Sequence, residues 1–165
     1  MDQTVASAQK SKDRLAEITL DAKSLGRSDA NIEHEREVAI FDLLDGNAFH
    51  VEGIDAGPYK LHLGIVDERL VLSIAADGEG GKVEHAVALT PLKRIMKDYF
   101  MICESYYEAV RSAPPARIQA IDVNRRAIHD EGSSLLRDKL LPRIVVDDDT
   151  ARRLFTLVCS LHWKG

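Results

Sequence analysis

The chain has 165 residues, of which 30 % are charged and 45 % hydrophobic, and its formal net charge is −5. This length and composition are typical of one globular domain that buries a core without disulfides or a structural metal. The negative net charge argues against neutralisation of nucleic-acid phosphates, so we expect no binding to duplex DNA. The polar N-terminus does not have the pattern of a secretory signal, and no apolar run approaches a membrane span, so we expect no membrane association.

The two cysteines, Cys103 and Cys159, both lie within apolar helical patterns. Neither has the spacing of a metal-ligand motif or of a redox CxxC pair, so we expect no metal and no other cofactor. Buried free thiols are typical of a reducing compartment. The sequence therefore predicts a cytoplasmic protein with both thiols reduced.

The hydrophobic pattern is strand-like in the first half of the chain and helical in the second. Residues 1–13 are polar and are predicted to be a flexible tail, followed by a single globular domain over residues 14–165. The predicted strands are a short one at Leu15, Ile18 and Leu20, a hairpin of Tyr59–Val66 and Arg69–Ala75, a strand at Val83–Leu89 and a last one at Ile144–Val146. The predicted helices are Asn31–Asp45, Thr90–Arg111, Ile118–Leu140 and Thr150–Trp163. Together they predict an α+β fold, a small and mainly antiparallel sheet of three to five strands covered by about four helices.

The faces and caps of the first two predicted helices follow from the same pattern. Asn31 is predicted to cap the first helix, with Val38, Phe41 and Leu44 on its inner face. Thr90 is predicted to cap the second helix. The predicted buried stripe of this second helix is Leu92, Ile95, Met96, Tyr99, Ile102, Cys103, Tyr106 and Val110.

Arg125 is the most informative residue, because it falls near the middle of the apolar face of the helix predicted at 118–140. A guanidinium group does not lose its charge, so a helix that packs this face must provide a carboxylate, a ligand or a path to water. Asp122 lies three residues before Arg125, so an ion pair within the helix is possible, and His129 lies four residues after Arg125. The three side chains therefore share one side of the helix.

Three interpretations of Arg125 remain open. In the first, Arg125 clamps a carboxylate or phosphate group and His129 transfers a proton. In the second, Arg125 forms a structural ion pair with Asp98 or Glu104 of the preceding helix. In the third, the helix face is a subunit contact, where arginine is enriched. The oligomeric state does not follow from the sequence.

The first predicted helix begins with an acidic segment that contains Glu33, His34, Glu35 and Glu37. Carboxylates and imidazole on neighbouring turns can hold a metal or act as an acid and base pair, which makes His34 a second candidate for proton transfer. Against this, no HExxH motif is present, and acids in a first turn are favoured by the helix dipole in any case. A solvated helix start is therefore the preferred interpretation of the segment.

The helix that begins at Thr90 carries Lys93, Arg94 and Lys97 in its first turns. Cations at the positive end of a helix dipole repel one another unless an anion compensates, so Arg94 and Lys97 are candidate anion-binding residues. No glycine-rich loop precedes them, and a solvated basic surface is the alternative.

Four aromatic residues follow on the same helix. Tyr99 and Tyr106 are seven residues apart on the buried stripe, which is the spacing of core residues. Phe100 and Tyr107 point elsewhere and are interpreted as a partner surface.

Three segments resemble an uncharacterised alphaproteobacterial protein family. They are Ile32–Arg36, Asp98–Tyr107 and Ala151–Leu157, the last of them followed by Leu161-His162-Trp163 as in that family. The resemblance covers nearly the whole chain except its first residues. The resemblance implies a small bacterial cytoplasmic protein and does not imply any particular activity.

The sequence has no GxSxG motif, no Walker loop and no dinucleotide-binding fingerprint. We therefore predict a non-catalytic binding or regulatory protein that acts on a protein partner or a small anionic ligand. The predicted ligand-binding residues are Arg125, Asp122, His129, Arg94 and Lys97. The alternative is an enzyme with His129 or His34 as general acid and base and Arg125 as anion clamp, which requires these groups and a carboxylate to converge in one pocket.

Overall fold

The computed structural model describes residues 12–26, 28–54, 57–76 and 81–162. Its strands are β1 (Leu15–Leu20), β2 (Phe49–Val51), β3 (Tyr59–Val66), β4 (Arg69–Ala76), β5 (Lys82–Ala88) and β6 (Ile144–Val146). Its helices are α1 (Ala22–Leu25), α2 (Ala30–Asp45), α3 (Thr90–Ser112), α4 (Pro115–Leu140) and α5 (Asp148–Leu161). The predicted α+β class is confirmed. Over these four ranges, no helix is long and apolar enough to cross a membrane.

The main sheet has the strand order β1-β3-β4-β5, in which β1 is parallel to β3 and the other neighbours are antiparallel. The predicted hairpin of β3 and β4 turns at Asp67 and Glu68, whose φ angles of 52° and 59° suit a two-residue hairpin turn. The short strand β2 and the short helix α1 were not predicted. β2 pairs with β6 in a separate two-stranded ribbon, so its partner lies almost a hundred positions away along the chain.

The inner face of the sheet forms one side of the core. Alternate residues of β3 and β4, such as Leu61, Leu63, Leu70 and Leu72, are fully buried under the helices. The opposite face is polar and aligns one residue from each strand in a single row. That row is Thr19, His62, Ser73 and Glu84. An antiparallel sheet commonly leaves one such face in water.

The predicted tail, residues 1–13, lies outside the described residues except for Lys12 and Asp13. The Asp13 carbonyl accepts a hydrogen bond of 2.9 Å from the Phe49 amide of β2. Contacts with the domain therefore begin before residue 14. Trp163, the predicted end of the last helix, also lies outside the described residues.

The predicted inner face of α2 is wrong. Val38, Phe41 and Leu44 are 45 %, 69 % and 36 % exposed. The buried residues are instead Ile32, Arg36, Ala39 and Leu43. This stripe has the same helical spacing, but small Ala39 allows close packing on α5, and Arg36 reaches the end of that helix. The face that packs is therefore nearly opposite the predicted one on the helix.

The N-cap residues of α2 and α3 differ from the predicted ones. Asp29, rather than Asn31, caps α2, because its side chain accepts a hydrogen bond of 2.9 Å from the Ile32 amide. The N-cap position of α3 is Leu89, and Thr90 is already the first helical residue.

Helices α3 and α4 form a long hairpin whose far half extends beyond the core. Every residue of α4 is described, and its buried residues begin only at Gly132. Of the eight residues predicted on the buried stripe of α3, Leu92 and Met96 are fully buried, Val110 is exposed, and the other five are half-buried. The prediction fails at Val110 because this half of the hairpin packs only on itself.

Candidate functional site

The α4–α5 cavity has a volume of about 500 Å³ and opens beside the hairpin. It is lined by Arg125, Arg126, His129 and Asp130 of α4, Arg152 and Thr156 of α5, and Tyr99 of α3. Two of the predicted site residues, Arg125 and His129, therefore do meet in one cavity. Arg126 and Arg152 add two further cations that the sequence reasoning did not select.

Arg125 is held by its own helix and by an aromatic ring of α3. Its Nε and Nη2 donate to Asp122 Oδ1 at 3.1 and 2.5 Å. Its guanidinium carbon lies 4.6 Å from the centroid of the Tyr106 ring, which is the geometry of a cation–π contact. The side chain keeps 30 % of its accessible surface. Arg125 is therefore only partly buried, and its charge reaches the cavity.

The predicted structural ion pair of Arg125 with Asp98 or Glu104 is wrong. The carboxylate partner is Asp122, three residues earlier in the same helix. Asp98 and Glu104 instead line a separate shallow cavity. An intrahelical partner suffices because Arg125 keeps access to water and does not need a carboxylate from a neighbouring helix.

Asp122 forms ion pairs with two arginines. Arg126 Nη2 lies 2.8 Å from Asp122 Oδ2 while Arg125 occupies Oδ1. The hydrogen bond from Arg125, together with the charge of Arg126, lowers the pKa of Asp122. Across the cavity, Arg152 Nε lies 3.0 Å from Asp130 Oδ1. Among the described residues, three guanidinium groups at this cavity are thus paired with only two carboxylates.

His129 is packed between rings and hydrogen-bonded through one nitrogen. Its ring centroid lies 5.2 Å from that of Tyr99 and 5.2 Å from that of Phe155. The Thr156 hydroxyl donates to the Arg152 carbonyl, so the 2.8 Å contact of His129 Nε2 with Thr156 Oγ1 has Nε2–H as the donor. Burial lowers the pKa of His129, and Arg152 and Arg125 lower it further while Asp130 opposes them. His129 is therefore neutral at pH 7.

The remaining predicted site residues lie elsewhere. Arg94 and Lys97 are exposed on the first turns of α3 and do not line the α4–α5 cavity. Their neighbour Lys93 pairs with Glu68 at 2.6 Å. His34 lies in a groove between α2 and α3, so it does not converge with Arg125. In the part of the chain that is described, no three His, Cys, Asp or Glu side chains are grouped to hold a metal ion.

Arg36 is the one buried arginine among the residues that the structure describes, and the sequence reasoning missed it. It is 7 % exposed, and its Nε donates to the Ser160 carbonyl near the C-terminal end of α5 at 3.1 Å. Its Nη2 is buried with no hydrogen-bond partner among the described residues. The available signal was the spacing of Arg36 within the stripe of Ile32, Ala39 and Leu43.

The fold and the cavity define an α+β protein with a cation-lined cavity between two helices. Residues 12–164 match the Uncharacterised protein family (UPF0262), and the chain belongs to this family. It is 56 % identical over 152 residues to a UPF0262 protein of Rhizobium johnstonii, which covers 92 % of this chain and 96 % of the relative. A relative from Azorhizobium caulinodans is 54 % identical over 154 residues, with 92 % and 95 % covered.

A third relative, from Rhodopseudomonas palustris, is 51 % identical over 162 residues and covers 98 % of this chain and 99 % of the relative. No solved structure matches the chain. The predicted resemblance to an alphaproteobacterial family is confirmed, and the similarity extends over almost the full length of both chains.

Proposed function

We propose that the protein binds a small anion that carries phosphate or carboxylate groups in the α4–α5 cavity. The observation that carries the proposal is the convergence of Arg125, Arg126 and Arg152 on one cavity in a chain of net charge −5. Like charges placed together repel unless an anion compensates them. Planar guanidinium groups also match the paired oxygens of carboxylate and phosphate.

The hydrogen bonds within the cavity leave donors available for a ligand. Arg125 uses Nε and Nη2 for Asp122, and its Nη1 has no hydrogen bond within the described residues. Arg126 is bound through Nη2 and Arg152 through Nε. Each guanidinium group has five N–H donors, so each can still contact an anion.

A binding role is favoured over the enzymatic alternative by the environment of His129. Its Nε2 proton is donated to Thr156, and its Nδ1 lies 3.4 Å from the Ser133 hydroxyl. The ring thus fixes the position of α4 on α5, and both nitrogens face hydroxyl groups. A general base needs a nitrogen within reach of the substrate proton.

We further propose that this binding takes place in the cytoplasm. Both Cys103 and Cys159 are unpaired, and burial raises the pKa of each thiol. Such thiols are inert and compatible with a reducing compartment.

Thermal melts test the proposal directly. Inorganic phosphate, sulfate and citrate are added at constant ionic strength, and we expect at least one of them to raise the Tm of the wild-type protein. A ligand at about 100 times its Kd stabilises the folded state by about 2.7 kcal/mol. Arg126→Gln should weaken binding about tenfold, because it removes one charge-assisted contact, for which about 1.4 kcal/mol corresponds to that factor.

Arg94→Gln is the matched control, since Arg94 is an exposed helical arginine outside the cavity. It should leave the Kd unchanged. The proposal is wrong if no anion in the panel raises the Tm, or if Arg94→Gln weakens binding as much as Arg126→Gln does.

A further inference from the structure

The α2–α3 groove is a second cavity, of about 520 Å³, and α5 forms its floor. Its apolar and aromatic lining from α2 and α3 is Ile32, Val38, Ala39, Tyr99, Phe100, Cys103 and Tyr107. Helix α2 packs mainly on α5 while α3 packs mainly on α4, so the two walls stand apart. The groove is therefore an open channel between two helices.

Large apolar side chains remain exposed along this channel. Val38 and Tyr107 are exposed in its walls, and Phe41 is exposed on the same helix as Val38. The sequence interpretation of Phe100 and Tyr107 as a partner surface falls on this groove. Clustered exposed apolar residues with a polar border commonly mark a protein interaction site.

The border of the groove is acidic. Asp29, Glu35, Asp42 and Glu104 all line it. Among the described lining residues none is Lys or Arg, although 22 such residues occur in the chain. The Asp29 side chain caps α2, but the carboxylates of Glu35, Asp42 and Glu104 form no ion pair within the described ranges. The groove therefore offers negative charge without an ion-pair partner beside the apolar residues of its α2 and α3 walls.

The shape of the groove matches a helix. Its α2 wall presents Asn31, Glu35, Val38 and Asp42, which repeat at helical spacing over three turns, or about 16 Å. An amphipathic helix binds such a groove through residues at i, i+3, i+4 and i+7.

We propose that the α2–α3 groove binds an amphipathic helix of a partner protein, with large apolar side chains on one face and Lys or Arg on its flanks. The apolar face covers Val38, Phe100 and Tyr107, and the basic flanks neutralise Glu35, Asp42 and Glu104. A second copy of this chain is a poorer occupant, because it brings its own net charge of −5 to an acidic border.

This proposal is independent of the anion site, although the two cavities share Tyr99 and Thr156 as a common wall. None of the three arginines lines the groove. A failure of one proposal therefore leaves the other standing.

The probe is a labelled amphipathic peptide of about 18 residues built from Leu and Lys, with a second peptide in which every Lys is replaced by Glu. Fluorescence anisotropy measures the Kd of each peptide for the full chain. We expect the Lys peptide to bind at least tenfold more tightly than the Glu peptide, and its affinity to fall as salt is added, because the flanking contacts are electrostatic.

Two variants locate the binding surface. Val38→Lys adds a cation at an exposed position of the groove and should raise the Kd of the Lys peptide at least tenfold. Val123→Lys makes the same change at an exposed helical position of α4 outside the groove and should leave the Kd within about twofold. Circular dichroism melts verify that both variants fold.

The proposal is overturned if both peptides bind equally, if neither binds, or if the two variants behave alike. Sedimentation velocity tests whether a second copy of this chain occupies the groove instead. A wild-type dimer that Val38→Lys dissociates would assign the groove to a second copy of the chain and would also overturn the proposal.

Discussion

Two arginines show how the same side chain is accommodated in different ways. Arg36 is almost completely buried and contacts a main-chain carbonyl of α5, where a cation also complements the negative end of the helix dipole. Arg125 keeps part of its surface in water and pairs with Asp122 of its own helix. The buried contact joins two helices, whereas the partly exposed contact lies within one. Arg36 should therefore contribute more to stability.

Arg36→Ala is expected to lower the free energy of unfolding by about 2 kcal/mol, from the lost charge-assisted hydrogen bond and the lost packing of its aliphatic stem. Arg125→Ala should cost about 1 kcal/mol or less, because partly exposed ion pairs and cation–π contacts are weak. Urea denaturation of both variants measures the two values. A larger loss for Arg125→Ala would contradict this assignment of the buried arginine.

His129 should make stability depend on pH. Its pKa is lowered in the folded protein, mainly by burial, whereas an unfolded histidine titrates near its ordinary value of 6.5. Below that value the unfolded state binds more protons than the folded state. The contribution of neutral His129 is therefore complete above pH 6.5 and is lost as the pH falls through this value.

Urea denaturation between pH 8 and pH 5 measures this dependence, with His129→Gln as the comparison. The Gln side chain keeps an N–H donor for Thr156 but does not titrate. We expect a shallower decline for the variant below about pH 6.5. Parallel curves would show that His129 is not the group responsible.

At the scale of elements, close approach of backbones decides how the helices pack. Gly132 lies where α4 crosses the ring of Phe155 on α5, and an added Cβ would overlap that ring. On α2, small Ala39 is buried while the larger Val38 and Phe41 are exposed. The close contact of α4 with α5 therefore depends on the missing side chain at Gly132.

Gly132→Ala is expected to destabilise the protein by about 1–3 kcal/mol, because overpacking against Phe155 outweighs the better helix propensity of alanine, which is worth about 1 kcal/mol. Thermal or urea denaturation measures the change. The double variant Gly132→Ala/Phe155→Leu should recover part of the loss, since leucine frees the space that the ring occupied. A stabilised single variant would rule out the close approach.

At the scale of the whole molecule, the net charge conceals a separation of charges. Three arginines line the α4–α5 cavity, carboxylates border the α2–α3 groove, and Tyr99 and Thr156 line both. A formal charge of −5 describes neither surface. The expected absence of duplex DNA binding stays a prediction, and the cationic cavity is small beside the continuous basic stripe that such binding uses.

The sequence by itself determined the longer helices and strands, because hydrophobic periodicity, turns and helix breaks act over a few neighbouring residues. The hairpin of β3 and β4 and the long α3 and α4 helices follow directly from such signals. It also placed Arg125, Asp122 and His129 on one side of α4, since that relation lies within a single helix.

Only the tertiary structure decided which faces pack and which charges meet. Strand β2 is three residues long and exists through its pairing with β6. Arg152 reaches the cavity because α5 packs on α4, and Arg36 is buried because α5 ends beside it. Apolar residues occur on two sides of α2, and packing on α5 decided that Ile32, Ala39 and Leu43 are the buried ones. Contacts between residues far apart in the chain carry no local pattern from which they can be derived.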